Sequence, residues 1–319
     1  MVMIETHALR KSFKTRKGAV VAVQGVDLQV ETGEIFGFLG PNGAGKTTTL
    51  RILATLLVPD GGQATVAGHD LLREPGQVRQ RIGYVGQAGG VDSSATAREN
   101  LVLQARLYGL SKAAAHARAA ELIDALELSA FADRAGSYSG GQKRRLDLAL
   151  GMVHRPALLF LDEPTTGLDP QSRARLWDEV RKMRVGGKTI FLTTHYLEEA
   201  DALCDRLAII DGGRIVAAGT PDALKRQIAG DIVTIGLDAH NGELHRAQEL
   251  LRTQPFVREI HDGEGAIQLY VERGEDALPA ILRTLDGARL QLRTIALARP
   301  TLDDVFLRQT GRSLRESKE

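Results

Sequence analysis

The chain has one cysteine in 319 residues, Cys204. A lone thiol forms no internal disulfide and no cysteine-based zinc site, and it fits a reducing cytosol. Its place on an apolar helical face gives it a structural part. Neither sign of charge dominates: 41 Lys and Arg stand against 40 Asp and Glu, for a formal net charge of +1. That balance supplies no broad basic field, so direct nucleic-acid binding is not expected, though room is left for a local basic patch. No apolar run approaches the roughly 18 to 20 residues that cross a bilayer, and residues 1–10 lack the basic-then-apolar layout of a signal peptide. Work at a membrane would therefore need a second chain to supply the spanning part. Internal repeats and low-complexity tracts are missing too. The 43% hydrophobic and 25% charged content is ordinary for a globular protein. The length suits one large domain and one small one.

What is present concentrates in one stretch, Gly40-Pro41-Asn42-Gly43-Ala44-Gly45-Lys46-Thr47-Thr48. Residues 34–39 before it read as a buried strand and residues 47–57 after it carry apolar side chains at helical spacing, so the loop joins strand to helix. Its glycines let successive N–H groups converge on a β-phosphate, and the helix N-terminus adds partial positive charge. Lys46 is then expected to reach the β- and γ-phosphates and the Thr47 hydroxyl to bind Mg²⁺. The implied ligand is ATP or GTP. A glycine-rich turn that matches by accident is the plain alternative, and the flanking strand and helix argue against it.

Leu158-Leu159-Phe160-Leu161-Asp162-Glu163 is an apolar strand ending in two carboxylates. Beside a phosphate loop, Asp162 would hold Mg²⁺ through water and Glu163 would polarise the attacking water. Taken alone, the pair also reads as a strand ending in solvated acids. Tyr138-Ser139-Gly140-Gly141-Gln142 supplies a second helix N-terminus suited to an anion. Ser139 is an N-cap candidate, Gly140 and Gly141 allow close backbone approach, and residues 146–152 continue as helix. One nucleotide does not need two such sites from the same chain.

Elsewhere the pattern alternates. Residues 4–7, 20–30, 64–67 and 81–85 read as strands, whereas 96–128 turn helical, with a break at Tyr108-Gly109 and Ser111 as the next N-cap. Strand, helix and strand at 157–161, 171–183 and 188–193 imply parallel pairing with helices on the faces. Residues 207–211 and 214–218 read as a hairpin around Gly212-Gly213. Beyond residue 230 the order suits a small ferredoxin-like domain if 257–260 are extended. Thr301 caps a last helix with Asp303 and Asp304 in its first turn, and its stripe of Leu302, Val305 and Phe306 reads as packing.

On these motifs the chain resembles the ATP-binding cassette (ABC) family over about residues 4–229. The resemblance implies an α/β fold: a P-loop NTPase core with a RecA-like mixed sheet, an antiparallel β subdomain and an α-helical signature subdomain at about 88–155. Residues 230–319 would form a small C-terminal α+β accessory domain. ATP with Mg²⁺ would be held between residues 40–48 of one subunit and Ser139, Gly140, Gly141 and Gln142 of another. The resemblance also assigns residues with little signal of their own. Gln87 matches a glutamine that touches Mg²⁺ and the lytic water and senses a membrane partner. Asp169, after Leu168, matches a loop crossing the dimer interface and also reads as a cap of the next helix. His195 matches a switch histidine that contacts the γ-phosphate and helps position Glu163 and water. Phe13 stands where the family places an aromatic on adenine, or else is a core aromatic. There are departures: Tyr138 replaces a usual leucine, Gly86 precedes Gln87 where proline is common, and Ala88-Gly89-Gly90-Val91-Asp92 is a small, flexible continuation.

Within the family, Ala95-Thr96-Ala97-Arg98-Glu99-Asn100-Leu101, the signature followed by Arg144-Arg145-Leu146-Asp147-Leu148-Ala149, and residues 302–311 look like the ATPase subunits of daunorubicin/doxorubicin-type drug-resistance exporters. This implies a homodimer that works with a separately encoded permease, peripheral at the cytoplasmic face of the cell membrane. It would drive outward movement of a hydrophobic drug or lipid-like compound. Two alternatives stay open: an importer subunit whose C-terminal domain regulates it, and a soluble cassette ATPase acting on nucleic acid or ribosomes. The latter usually carries two cassettes or a long coiled-coil insertion, and this chain has neither. The C-terminal domain itself reads either as regulation or dimer support, or as a stabilising appendage.

Overall fold

Residues 35–39, 158–162 and 189–194 have no polar face, as strands covered on both sides require, and every one of them is buried. The computed structural model describes residues 1–16, 18–128, 134–228, 230–237, 243–263 and 266–313. In chain order, β1 (Val2–Thr15) and β2 (Gly18–Glu31) form a hairpin, and β3 (Ile35–Leu39) leads into α1 (Lys46–Leu53). Next come β4 (Gly61–Val66), β5 (His69–Asp70), α2 (Pro75–Arg81) and β6 (Ile82–Val85). The helices α3 (Ala97–Leu107), α4 (Lys112–Ala125) and α5 (Gly140–Gly151) precede β7 (Leu158–Asp162), α6 (Pro170–Val185) and β8 (Thr189–Thr194). Then follow α7 (Leu197–Leu203), β9 (Arg206–Asp211), β10 (Arg214–Gly219) and α8 (Pro221–Gln227).

The central sheet has the order β10-β9-β3-β8-β7-β6, parallel except for β10, which turns back on β9. A second sheet, β2-β1-β4-β5, is antiparallel throughout. β1 runs well past the expected 4–7 because pairing with β2 carries its polar half, with register shifts on either side of Leu9. The helical segment keeps its break: Ser111 caps α4 by accepting from the Ala114 N–H.

Contacts divide the chain into Met1–Pro221 and Asp222–Ser313. The second unit contains β11 (Asp231–Leu237), α9 (Glu243–Arg252), β12 (Val257–Gly263), β13 (Ala266–Val271), α10 (Gly274–Gly287), β14 (Leu292–Ala298) and α11 (Leu302–Thr310). Residues 257–260 are extended, so the strand-helix-strand-strand-helix-strand order is complete, in an antiparallel sheet ordered β12-β13-β11-β14. Ala247 and Leu251 of α9 and Ala277, Ile281 and Leu285 of α10 pack on Val233, Ile235 and Leu269. Ala229, the expected end of the first domain, and residues 314–319 lie outside the described residues.

Beneath the phosphate loop the core is aromatic. Phe191 of β8 has no exposed surface and lies 5.7 Å from the rings of Phe36 and Phe38 and 5.6 Å from Phe160. It ties three adjacent parallel strands at their middles. Phe191→Ala is expected to lower unfolding free energy by about 3–5 kcal/mol, the cost of a large buried cavity. Urea denaturation of the variant checks this; an unchanged midpoint would mean the sheet does not depend on that ring.

Candidate nucleotide site

The strand β3 ends where chain direction reverses into α1, and the loop between them wraps around one side chain. Gly45 caps α1 at φ 103°, and a Cβ there would fall 2.2 Å from the Ala22 carbonyl, so only glycine fits. Lys46, 4% exposed, turns back into this loop. Its Nζ donates to the carbonyls of Gly40 at 2.8 Å and Pro41 at 3.0 Å and lies 3.2 Å from Glu163 Oε1.

The carboxylates come from the neighbouring end of β7. Asp162 Oδ1 accepts from the hydroxyls of Thr47 at 3.0 Å and Thr193 at 2.7 Å. Its other oxygen, Oδ2, is buried with no hydrogen-bond partner. A free hard oxygen beside the Thr47 hydroxyl suits Mg²⁺, which takes one or two protein oxygens and draws its other ligands from water and phosphate. No cluster of three or more His, Cys, Asp or Glu ligands occurs among the described residues.

Glu163 follows in the left-handed region at φ 45°, its N–H donating to Thr193 Oγ1 at 3.0 Å. That strained turn, worth about 1–3 kcal/mol, aims the side chain out of the strand line and into the cleft. Around it gather His195 Nδ1 at 3.3 Å, Gln87 Nε2 at 3.4 Å and the Thr166 hydroxyl at 3.3 Å. The His195 contact has ion-pair distance but lies off the line of a good hydrogen bond. The His195 ring, with the Lys46 ammonium, holds the Glu163 carboxyl down at about 2 against the opposing pull of burial. Burial lowers the Lys46 pKa, and Glu163 resists it. The resulting cleft, about 490 Å³, is lined by Asn42, Lys46, Thr47, Gln87, Glu163 and His195 among others.

Gly43, Gly45 and Thr48 also line the cleft, whereas Ser139, Gly140, Gly141, Gln142, Asp169 and Phe13 do not. Ser139 begins α5 with a reciprocal cap: it accepts from the Gln142 N–H at 3.3 Å and donates its own N–H to Gln142 Oε1 at 2.7 Å. Asp169 caps α6 through Ser172, and α5 packs against α6. Phe13 lies on the exposed end of the β1–β2 hairpin, 38% exposed, with Lys11 Nζ 5.7 Å from its ring.

Sequence reasoning missed three buried charges behind the cleft. Arg144 and Asp147 of α5 and Glu199 of α7 are 7%, 8% and 0% exposed. Glu199 takes the Trp177 indole N–H at 3.1 Å, and burial raises its pKa. Nothing in the local sequence marks Arg144 or Glu199 as buried, since Arg144 stands between Lys143 and Arg145 and Glu199 beside Glu198.

Residues 23–166 match the ABC transporter family, and residues 219–310 match the C-terminal domain of DrrA1-3-like ATP-binding proteins. The daunorubicin resistance ATP-binding protein DrrA2 of Streptomyces coeruleorubidus is 46% identical over 97% of this chain and 96% of its own. The chain belongs to the ABC transporter family of ATP-binding proteins. A second relative, the Nod factor export ATP-binding protein I of Burkholderia lata, is 40% identical over 96% of this chain and 97% of its own. Among solved structures, a dimeric ATP-binding cassette in a post-hydrolysis state with ADP and Pi superposes at TM-score 0.63 and 26% identity, over 68% of this chain and 98% of that one. This ABC protein is thus an ATPase of the export branch. No helix among its described residues is long and apolar enough to cross a membrane.

The electrostatics of the cassette make an acid-range prediction. A carboxyl lowered from 4.5 to about 2 adds stability that is fully present above pH 4.5 and is lost as pH falls through 2. Glu163→Gln should remove that component, so its unfolding free energy should change less than wild type across this window. Denaturant titrations at successive pH values read this, and identical profiles would contradict the pairing.

Proposed function

We propose that this cassette is the ATP-hydrolysing half of an exporter in which two copies clasp two MgATP between them and drive a separately encoded permease. The observation that carries the reading is a division of labour within one chain. The Lys46 cation, the Glu163 carboxylate, glutamine and histidine converge in one cleft, whereas the Ser139 helix N-terminus lies outside that cleft, capped and exposed. An anion-suited helix end with no use in its own chain is complementary to the phosphate cleft of a twin, and C2 pairing gives two such sites at once.

In this mechanism residues 40–48 cradle the phosphates, Lys46 meets the β- and γ-phosphates, and Thr47, Asp162 and Gln87 hold Mg²⁺. The metal, when bound, neutralises charge that develops on the transferring phosphoryl group. Glu163 polarises the attacking water, with Gln87 and His195 placing both. A carboxyl held at about 2 is a weak base. Phosphate oxygens compete for the Lys46 ammonium and the His195 ring that hold it there, so nucleotide arrival raises its basicity when water must be activated. Ser139, Gly140, Gly141 and Gln142 of the second copy close over the γ-phosphate, Asp169 lies at the interface and Phe13 stacks on adenine. The branch to which DrrA2 and the Nod factor export protein belong favours outward transport of a hydrophobic drug-like or lipid-like compound. The complex would work from the cytoplasmic face of the cell membrane, held there by its permease.

Glu163→Gln in the full chain tests this reading. The variant should bind MgATP, lose about 10²- to 10⁴-fold in turnover, the worth of a general base, and migrate as an ATP-dependent dimer. Phosphate-release assays and light scattering measure both properties; wild-type turnover by the variant would overturn the role.

A further inference from the structure

Two charged side chains that the chemistry does not use tie α5 to the segment carrying Gln87. Arg144 spreads its guanidinium over three carbonyls: Nε donates to Pro164 at 2.8 Å, one terminal nitrogen to Gly86 at 2.7 Å and the other to Asp162 at 3.1 Å. Pro164 and Asp162 flank Glu163, and Gly86 precedes Gln87. One turn further along α5, Asp147 Oδ1 accepts from the Gly90 N–H at 2.7 Å. Gly89 makes this approach feasible: its φ is +73°, and a Cβ there would lie 2.6 Å from Asp147 Oδ2. Beyond it the Asp92 N–H donates to Asn100 Oδ1 at 2.8 Å, and Asn100 Nδ2 returns a bond to the Asp92 carbonyl at 3.0 Å. The continuation expected to be flexible is thus bonded at 86, 90 and 92.

Burying a guanidinium and a carboxylate is costly, and well-packed apolar residues would serve stability as well or better. What the pair adds is direction. A rigid fork fixes three backbone carbonyls at once, and it sits one turn inside the helix that begins at Ser139.

We propose that Arg144 and Asp147 are positioning residues that clamp residues 86–92 to α5, so that Gln87 and the Ser139 helix N-terminus shift as one body. The proposal rests on the two-copy reading and adds to it the linkage between a chain's own cleft and the cap it offers its twin. Displacing residues 86–92, from the γ-phosphate side or the permease side, then moves Ser139 with them. Breaking the clamp leaves the chain's own phosphate loop intact and lets Gln87 and Ser139 shift independently.

The test uses the full chain in the Glu163→Gln background, with MgATP as the probe. Adding Asp147→Ala should leave nucleotide affinity of the dilute monomer unchanged and weaken ATP-driven dimerisation by about ten- to a hundredfold, the worth of a hydrogen bond to a charged group. Asp147→Asn, which keeps an acceptor oxygen, should restore most of the dimer. Gly89→Ala, strained at φ +73° and aimed at the Asp147 carboxylate, should weaken dimerisation as well. Parental dimerisation by Asp147→Ala, a parallel fall in monomer affinity, or no rescue by Asp147→Asn would each overturn the clamp. A Glu163→Gln parent that forms no dimer with MgATP would instead overturn the two-copy reading beneath it.

Discussion

The buried ammonium of Lys46 organises the site. Taking that charge out of water is tolerable only because the Gly40 and Pro41 carbonyls and the Glu163 carboxylate share it. The constraint runs both ways. It curls the loop from 40 to 46 around a single nitrogen, and it fixes the carboxylate at the end of β7 against the start of α1. His195 and Gln87 then find Glu163 at a defined place, although they reach it from different strands of the sheet. A ligand rich in phosphate oxygens suits this cation, which already sits among oxygen acceptors.

The parallel sheet explains why so many groups meet there. β3, β8, β7 and β6 run in one direction, so the loops after them open on the same edge, and each contributes one element of the cleft. The aromatic stack below holds those ends in register. Behind the cleft, Arg144 joins the ends of β6 and β7 to α5 through backbone carbonyls alone. The cassette therefore has a polar face of local loops and a second, hidden layer of long-range bonds that sets where those loops stand.

That difference decides what could be read from sequence. The phosphate loop, the β7 carboxylates and the Ser139 cap are written in spacings of a few residues, because turn geometry and capping act locally. Gln87 and His195 have no local signature and became legible only through the family resemblance; their meaning is the approach to Glu163 from 76 and 32 positions away in sequence. Arg144 was illegible for the same reason, since its acceptor at Gly86 is 58 residues distant. A charged residue on a helix usually faces solvent, and only the packed fold shows that this one does not. The long β1 escaped notice because its polar half has no buried face and takes its extension from pairing with β2. The second unit was legible in outline, since alternating strand and helix patterns survive even where no motif marks them.

The account stands on ATP being shared between copies. The most direct measurement is a structure of the Glu163→Gln chain with MgATP bound, read for the separation between the γ-phosphate held by Lys46 and Ser139 of the partner subunit. The predicted result is hydrogen-bond distance, about 2.7–3.2 Å, at both sites of a symmetric pair. A nucleotide seated on Lys46 with no second copy closing over it would contradict the account.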